Sequence, residues 1–344
     1  MIRRRTFLAA TSAAAALPRV GLAESEPGLA QAARSAGVEF GCAVGPWLWS
    51  ESDFRRAVLV DCTFIVPEYE WKWDRLSARS RRCDTSPIRR YLTFAQQNGL
   101  AIRGHTLVWH RAMPAWYPAS ADRATAIKLM TEHIQTVVGC GAGRIPWWDV
   151  VNEAIDPESG DHSGLRRTPL LAQIGPDYID IAFRAAAEAD PAAKLVYNDY
   201  GLTKSWGEAR RDALLRLLEG MRRRGTPIHA VGVQAHLDLG PNSFNPKALT
   251  RLCRQLNDLG LDLIVTELDV SGAADEPVAA VYRDFLSCVL ELPNLRSIST
   301  WGLSDRHSWL TTTTPTARPL LYDTRMRKKA AWTAVNEALL SQSA

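Results

Sequence analysis

The chain has 344 residues, 46% hydrophobic and 23% charged, values that exclude disorder, collagen and coiled coil. No apolar stretch reaches the ~18 residues of a membrane-spanning helix, so the sequence reads as soluble, with no membrane partner. Lys and Arg number 41 against 37 Asp and Glu, a net charge of +4, and no basic face is implied that would bind nucleic acid.

Four of those positive charges, Arg3, Arg4, Arg5 and Arg19, lie in the first 23 residues, which contain no acid. Removing four from 41 leaves 37 against 37, a neutral remainder. Arg3-Arg4-Arg5-Thr6-Phe7-Leu8 precedes an Ala-rich apolar run to Leu17, and Gly21-Leu22-Ala23 offers the small residues a signal peptidase reads. Residues 1–23 are therefore read as a twin-arginine-type export signal, with residues 24–344 a mature chain starting near Glu24, periplasmic or secreted. Six cysteines, Cys42, Cys62, Cys83, Cys140, Cys253 and Cys288, would then meet an oxidising compartment, with fifteen full pairings open. None forms a CxxC or Cys/His cluster, and no metal site is expected.

Short segments apolar on both faces follow in a regular rhythm, as buried parallel strands should. They are Val38–Ala43, Thr63–Pro67, Ala101–Thr106, Trp147–Val151, Leu195–Asn198, Ala230–Gln234, Leu263–Thr266 and Ser297–Trp301. Helices are predicted over Glu51–Val58, Pro87–Asn98, Asp122–Val138, Pro176–Ala189, Gly207–Arg223, Pro246–Leu259, Pro277–Leu290 and Arg325–Leu340. Several open with Asp or Pro, and Gly99 and Gly260 sit at helix ends. Eight alternations predict an α/β fold, a single-domain (β/α)8 TIM barrel. A doubly wound open sheet competes, but its Gly-rich phosphate turn is missing after the first strand.

In a barrel, chemistry belongs at the carboxyl ends of the strands. There the sequence places Trp47, Trp49, Glu68, Glu70, Trp71, Lys72, Trp73, His105, Trp109, His110, Asn152, Glu153, Asn198, Asp199, Tyr200, Gln234, His236, Glu267, Asp269, Trp301, Asp305 and Trp309. Aromatic rings mixed with amides and histidines suit the flat faces and hydroxyl edges of sugars. Glu153 and Glu267 each directly follow a buried strand, and glycoside hydrolysis needs two such carboxyl groups. A lone strand-end Glu reads better as a surface ion pair; two of them, with Asn152 and His236, favour chemistry.

Four segments carry a resemblance: Gly104-His105-Thr106-Leu107-Val108-Trp109-His110, Trp148-Asp149-Val150-Val151-Asn152-Glu153, Gly232-Val233-Gln234-Ala235-His236 and Thr266-Glu267-Leu268-Asp269. With Tyr197-Asn198-Asp199-Tyr200, Trp301-Gly302 and Ser308-Trp309, the chain resembles glycoside hydrolase family 10, the retaining endo-β-1,4-xylanases, from about Phe40 to Ala331. The resemblance implies Glu153 as general acid/base and Glu267 as the nucleophile of a covalent glycosyl-enzyme. It implies that Asn152 binds the sugar 2-hydroxyl and that His236, held by Asp269, orients Glu267. Glu68, Lys72, His105, Trp109 and Gln234 would line the glycone side, Trp301 and Trp309 would stack on sugar, and Asn198 and Tyr200 would either serve the leaving side or brace their loop by a hydrogen bond. Xylan or a related β-linked polysaccharide is the expected partner, with no cofactor and a monomeric chain. Two positions depart from the family pattern: Tyr69 and Ala112 stand where the family has Asn and Gln. The alternatives are the same mechanism on another β-linked polysaccharide, and a non-catalytic sugar-binding protein.

Overall fold

Short strands buried on both faces alternate with helices that bury one face, and the alternation closes on itself. The structure is a computed structural model that describes residues 28–343; the expected export signal and the start near Glu24 lie outside them. The barrel strands are β1 (Glu39–Val44), β2 (Phe64–Pro67), β3 (Ala101–Gly104), β4 (Trp147–Asn152), β5 (Lys194–Asp199), β6 (Ala230–Val233), β7 (Asp262–Ser271) and β8 (Leu295–Thr300). Each pairs in parallel with its neighbour in sequence, and β8 pairs with β1 to close an eight-stranded TIM barrel. Two short extensions, Val108–Trp109 and His236–Asp238, lengthen the wall beside β4 and β7.

The intervening helices are α1 (Ser52–Asp61), α2 (Ser86–Asn98), α3 (Arg123–Cys140), α4 (Tyr178–Ala189), α5 (Glu208–Arg223), α6 (Pro246–Asp258), α7 (Asp275–Val289) and α8 (Ala330–Leu340). Local sequence explains their ends. Asp122 caps α3 by accepting from Thr125 N, and Asn245 caps α6 by accepting from Ala248 N. Gly99 closes α2 at φ 66°, a left-handed position that costs glycine little.

Alternation along the strands divides the core. On β1, Phe40, Cys42 and Val44 join the large cluster beneath the helices, while Ala43 joins Phe64, Val66 and Trp301 in a separate one. All eight expected strands and all eight helices form, most within a few residues of their predicted ends. Two ends differ by five residues: β7 runs on to Ser271 rather than stopping at Thr266, and α8 starts at Ala330 rather than Arg325. The Asp323 carboxylate accepts from the backbone of Arg325 and Arg327 and turns the chain there. Lys329 is then drawn inward to Asp305, at 2.8 Å. An additional helix, Leu29–Ser35, absent from the sequence expectation, is tied down where Leu29 N donates to the buried Asp61. The same carboxylate accepts from Tyr322 Oη and Trp332 Nε1, joining both ends of the described chain. All six cysteines are free thiols, with Cys42 and Cys62 3.6 Å apart, Sγ to Sγ.

Candidate active site

Two irregularities in the barrel aim its acidic residues. Between Asp149 and Val151, β4 advances two residues while β5 advances one, from Val196 to Tyr197. Between Val265 and Leu268, β7 advances three while β8 advances two, from Ile298 to Thr300. A bulge of one residue reverses which face the following side chains occupy. Val150 and Val151 thus both pack into the large core, as do Val265 and Leu268. Asn152 and Glu153 then turn to the cleft at the end of β4, and Glu267 turns to it from within the bulge of β7. Glu153 completes its turn at φ 60° and Ala235 at φ 61°, left-handed positions costing a non-glycine residue ~1–2 kcal/mol each.

Each carboxylate is gripped by its own donors. Glu153 accepts from Trp109 Nε1 at 2.9 Å on one oxygen, and from Gln234 Nε2 at 3.1 Å and Asn152 Nδ2 at 3.4 Å on the other. Glu267 accepts from Asn198 Nδ2 at 2.7 Å and faces His236 Nε2 at 3.3 Å. Asn152 Oδ1 accepts from Asn198 at 2.9 Å and Gln234 at 3.3 Å, so amides link the two acids across the barrel. His236 sits beside Asp269, Nδ1 to Oδ1 2.9 Å, because the extension Pairing His236 with Asp269 lies alongside β7. Trp309 Nε1 donates to the other Asp269 oxygen at 2.8 Å.

The electrostatics follow from these contacts. Burial alone would raise the Glu267 carboxyl, but the His236 hydrogen bond, the neighbouring histidines and Asn198 outweigh it and bring it down to about 2. Burial opposes charging His236, yet Asp269 and Glu267 hold its imidazole up at about 10. Below the cleft, burial pushes Glu68 up to about 8 and lowers Lys72 against the pull of Glu267 and Glu68. Lys72 Nζ lies 4.5 Å from the centroids of both the Tyr69 and Trp109 rings. His105 is oriented by Asp149, Nδ1 to Oδ2 2.8 Å.

These groups line a cleft of about 470 Å³. Lys72, His105, Trp109, Asn152, Glu153, Tyr200, Gln234, His236, Glu267, Trp301 and Trp309, all expected from sequence, meet in it. Glu68 lies buried beneath it and Asp269 behind His236. The expected rim of tryptophans is smaller than the sequence implies. Trp47 stacks on His307, Trp49 packs edge-on against Tyr91 and Phe94, Trp71 meets Trp148, and Trp73 stacks on His133. Tyr69 does line the cleft, with Arg111 beside it, whereas Ala112 is buried. Sequence reasoning missed Trp206, which lines the cleft at 55% exposure, and Lys204, which pairs with Asp238 at 2.6 Å. Both lie in the loop after β5, where only an isolated aromatic in a polar stretch marks them. Asn198, left between sugar contact and loop brace, instead grips Glu267. Among the described residues, no group of three or more His, Cys, Asp or Glu is placed to hold a metal ion.

Comparison with known proteins agrees with this architecture. The model of glycosyl hydrolase family 10 matches residues 28–338. Endo-1,4-beta-xylanase B of Thermotoga neapolitana is 30% identical over 314 residues, covering 88% of this chain and 88% of the relative. Endo-1,4-beta-xylanase 3 of Hypocrea jecorina is 33% identical, covering 86% of this chain and 81% of the relative. Among solved structures, native xylanase 10B from Thermotoga maritima is 29% identical and superposes with a TM-score of 0.85, covering 92% of this chain and 99% of that one. Xylanase 10B from Thermotoga petrophila, solved in complex with xylobiose, gives the same identity and TM-score, covering 92% of this chain and 98% of that one. The match runs through nearly all of the described chain, and this protein belongs to glycosyl hydrolase family 10.

Proposed function

We propose that the chain is an exported endo-1,4-β-xylanase that cleaves with retention of configuration. The observation that carries this reading is the pairing of two strand-end carboxylates in one cleft, each held differently. Glu267 is buried and kept ionised by His236 and Asn198, the state a nucleophile needs. Glu153 shares the cleft with it, and Tyr200 and Trp206, which also line that cleft, are read as the leaving-group side. Glu153 protonates the departing glycosidic oxygen while Glu267 attacks the anomeric carbon, giving a covalent glycosyl-enzyme. Esterification removes the charge on Glu267, and Glu153, now a carboxylate, takes a proton from the incoming water. Asn152, held by Asn198 and Gln234, binds the 2-hydroxyl in this reading. Lys72, His105, Trp109, Gln234, His236, Trp301 and Trp309 surround the sugar, with the Glu267 carboxylate the strongest balancing charge for Lys72. The reaction uses no cofactor or metal, and the chain acts as a monomer.

The relatives support xylan as substrate, since their names give that activity, and one solved neighbour holds xylobiose. A second reading, another β-linked polysaccharide, is favoured by one feature: Tyr69 and Arg111 form the glycone wall, and buried Ala112 offers it no amide. Reducing-sugar release from a panel of β-linked polysaccharides tests both readings. The fastest release is expected on xylan, lost in Glu267→Gln; faster release on a β-glucan or a mannan would transfer the assignment to that polymer. Unchanged release in the variant would sink the mechanism.

A further inference from the structure

Glu153 reaches the cleft through a left-handed residue, φ 60°, and something must hold it there. Its own N–H is satisfied, donating to Asn198 O at 2.9 Å. Among the described residues its carbonyl is satisfied by one group, the side chain of Arg166, whose Nε donates to it at 2.8 Å. Arg166 lies thirteen residues on, yet is adjacent in space because the loop after β4 folds back as a hairpin. Ile155 bridges Leu165 in antiparallel fashion, and Arg166 N donates to Ala154 O at 2.7 Å.

The rest of the guanidinium is equally committed. Nη1 donates to Asp156 at 3.0 Å, and Nη2 to Ile155 O at 3.2 Å and to Tyr200 Oη at 3.0 Å. Arg210 completes the brace, donating to Ile155 O and to Tyr200 Oη, each at 2.9 Å. The Tyr200 oxygen thus accepts from two guanidinium groups, and among the described residues its own proton is donated to none, leaving it for the cleft that Tyr200 lines. Arg166 is outside that lining. It joins the main chain of the acid to the wall that meets the leaving sugar.

We infer that Arg166 is a positioning residue for leaving-group protonation: it fixes Glu153 and Tyr200 as one unit, so that the acid meets the glycosidic oxygen of the sugar that Tyr200 holds. This rests on the reading of Glu153 as the acid. A residue that only braces the fold would, on removal, slow every substrate alike. A residue that aims the acid would slow only substrates whose leaving group needs a proton.

The test compares kcat/KM on a xylo-oligosaccharide with kcat/KM on 2,4-dinitrophenyl β-xylobioside, whose phenolate departs without one. Correct general acid catalysis contributes ~10²–10⁴-fold, so Arg166→Met should lose about 30-fold or more on the oligosaccharide and less than about threefold on the aryl glycoside. Arg166→Lys, keeping the charge and some of the donors, should fall between wild type and Arg166→Met in this ratio. Both substrates are measured on one preparation, so any unfolded fraction cancels. Glu153→Ala provides the reference and should show the same split, larger. If it shows the split while Arg166→Met loses equally on both substrates, or on neither, the role of Arg166 is overturned and the acid assignment stands. If Glu153→Ala itself loses equally on both, the assignment of the acid fails and takes the inference with it.

Discussion

Replacing Asp269 by Asn should move the alkaline limb of activity without dismantling the site. His236 lies between two carboxylates, 2.9 Å from Asp269 and 3.3 Å from Glu267, and titrates at about 10 rather than the usual 6.5. That elevation corresponds to ~5 kcal/mol at 1.36 kcal/mol per unit, shared between two anions. One charge at ~4 Å in an environment of effective dielectric ~20 contributes up to ~4 kcal/mol, so removing Asp269 should take away about half, ~2–3 kcal/mol. His236 should then titrate near ~8. Because its value is raised in the folded state, its contribution to stability is complete below about 6.5 and is lost as pH rises through about 10; in Asp269→Asn that loss comes about two units earlier. The isosteric Asn side chain keeps the packing, and its one carbonyl oxygen can still accept from the imidazolium Nδ1–H at the cost of the Trp309 hydrogen bond. Activity at pH 6 should change only a few-fold, while at pH 9 the variant should lose ~10-fold more than wild type. The assay is kcat/KM against pH on an aryl xylobioside, with NMR titration of the His236 ring. Coincident alkaline limbs and ring titrations in the two proteins would refute the electrostatic account.

Three further outcomes follow from other parts of the molecule. Lys329→Met should cost ~3–5 kcal/mol in denaturant unfolding, because it strands the buried Asp305 carboxylate that Lys329 meets at 2.8 Å; a loss below ~1 kcal/mol would contradict this. Tyr69→Asn combined with Ala112→Gln should raise kcat/KM on linear xylo-oligosaccharides by ~5- to 150-fold, the worth of two recovered hydrogen bonds. Unchanged or lower values on every oligosaccharide would show that the glycone wall works without those amides. Replacing Arg4 and Arg5 by Lys should block export, and exported wild-type protein should begin near Glu24; N-terminal sequencing that still reads Met1 would defeat the signal reading.

The barrel was legible because each parallel strand is buried on both faces and each helix on one, so composition changes at nearly every boundary. Caps such as Asp122 and Asn245 and the turn at Gly99 added local agreement. The α8 boundary failed where a turn built by the Asp323 side chain overrode helix-compatible residues. The site was legible to the extent that strand ends carry it. What sequence could not reveal was aim: bulges in β4 and β7 turn Asn152 and Glu267 to the cleft where strict alternation would send them to the helices, and a left-handed turn completes the aim of Glu153. Tryptophans showed the same difficulty, since Trp71 and Trp301 both follow strands, yet one packs on Trp148 and the other lines the cleft. Trp206 escaped notice because its loop has no periodic pattern.

The central claim is that Glu267 forms a bond to sugar. A 2-deoxy-2-fluoro-β-xylobioside with a good leaving group should accumulate the glycosyl-enzyme, since fluorine slows both steps and the leaving group offsets only the first. Mass spectrometry of the digested protein should find one fluoro-xylobiosyl group on the peptide containing Glu267, with none in Glu267→Gln. A label on Glu153 or another carboxylate, or turnover with inversion and no label at all, would contradict the account.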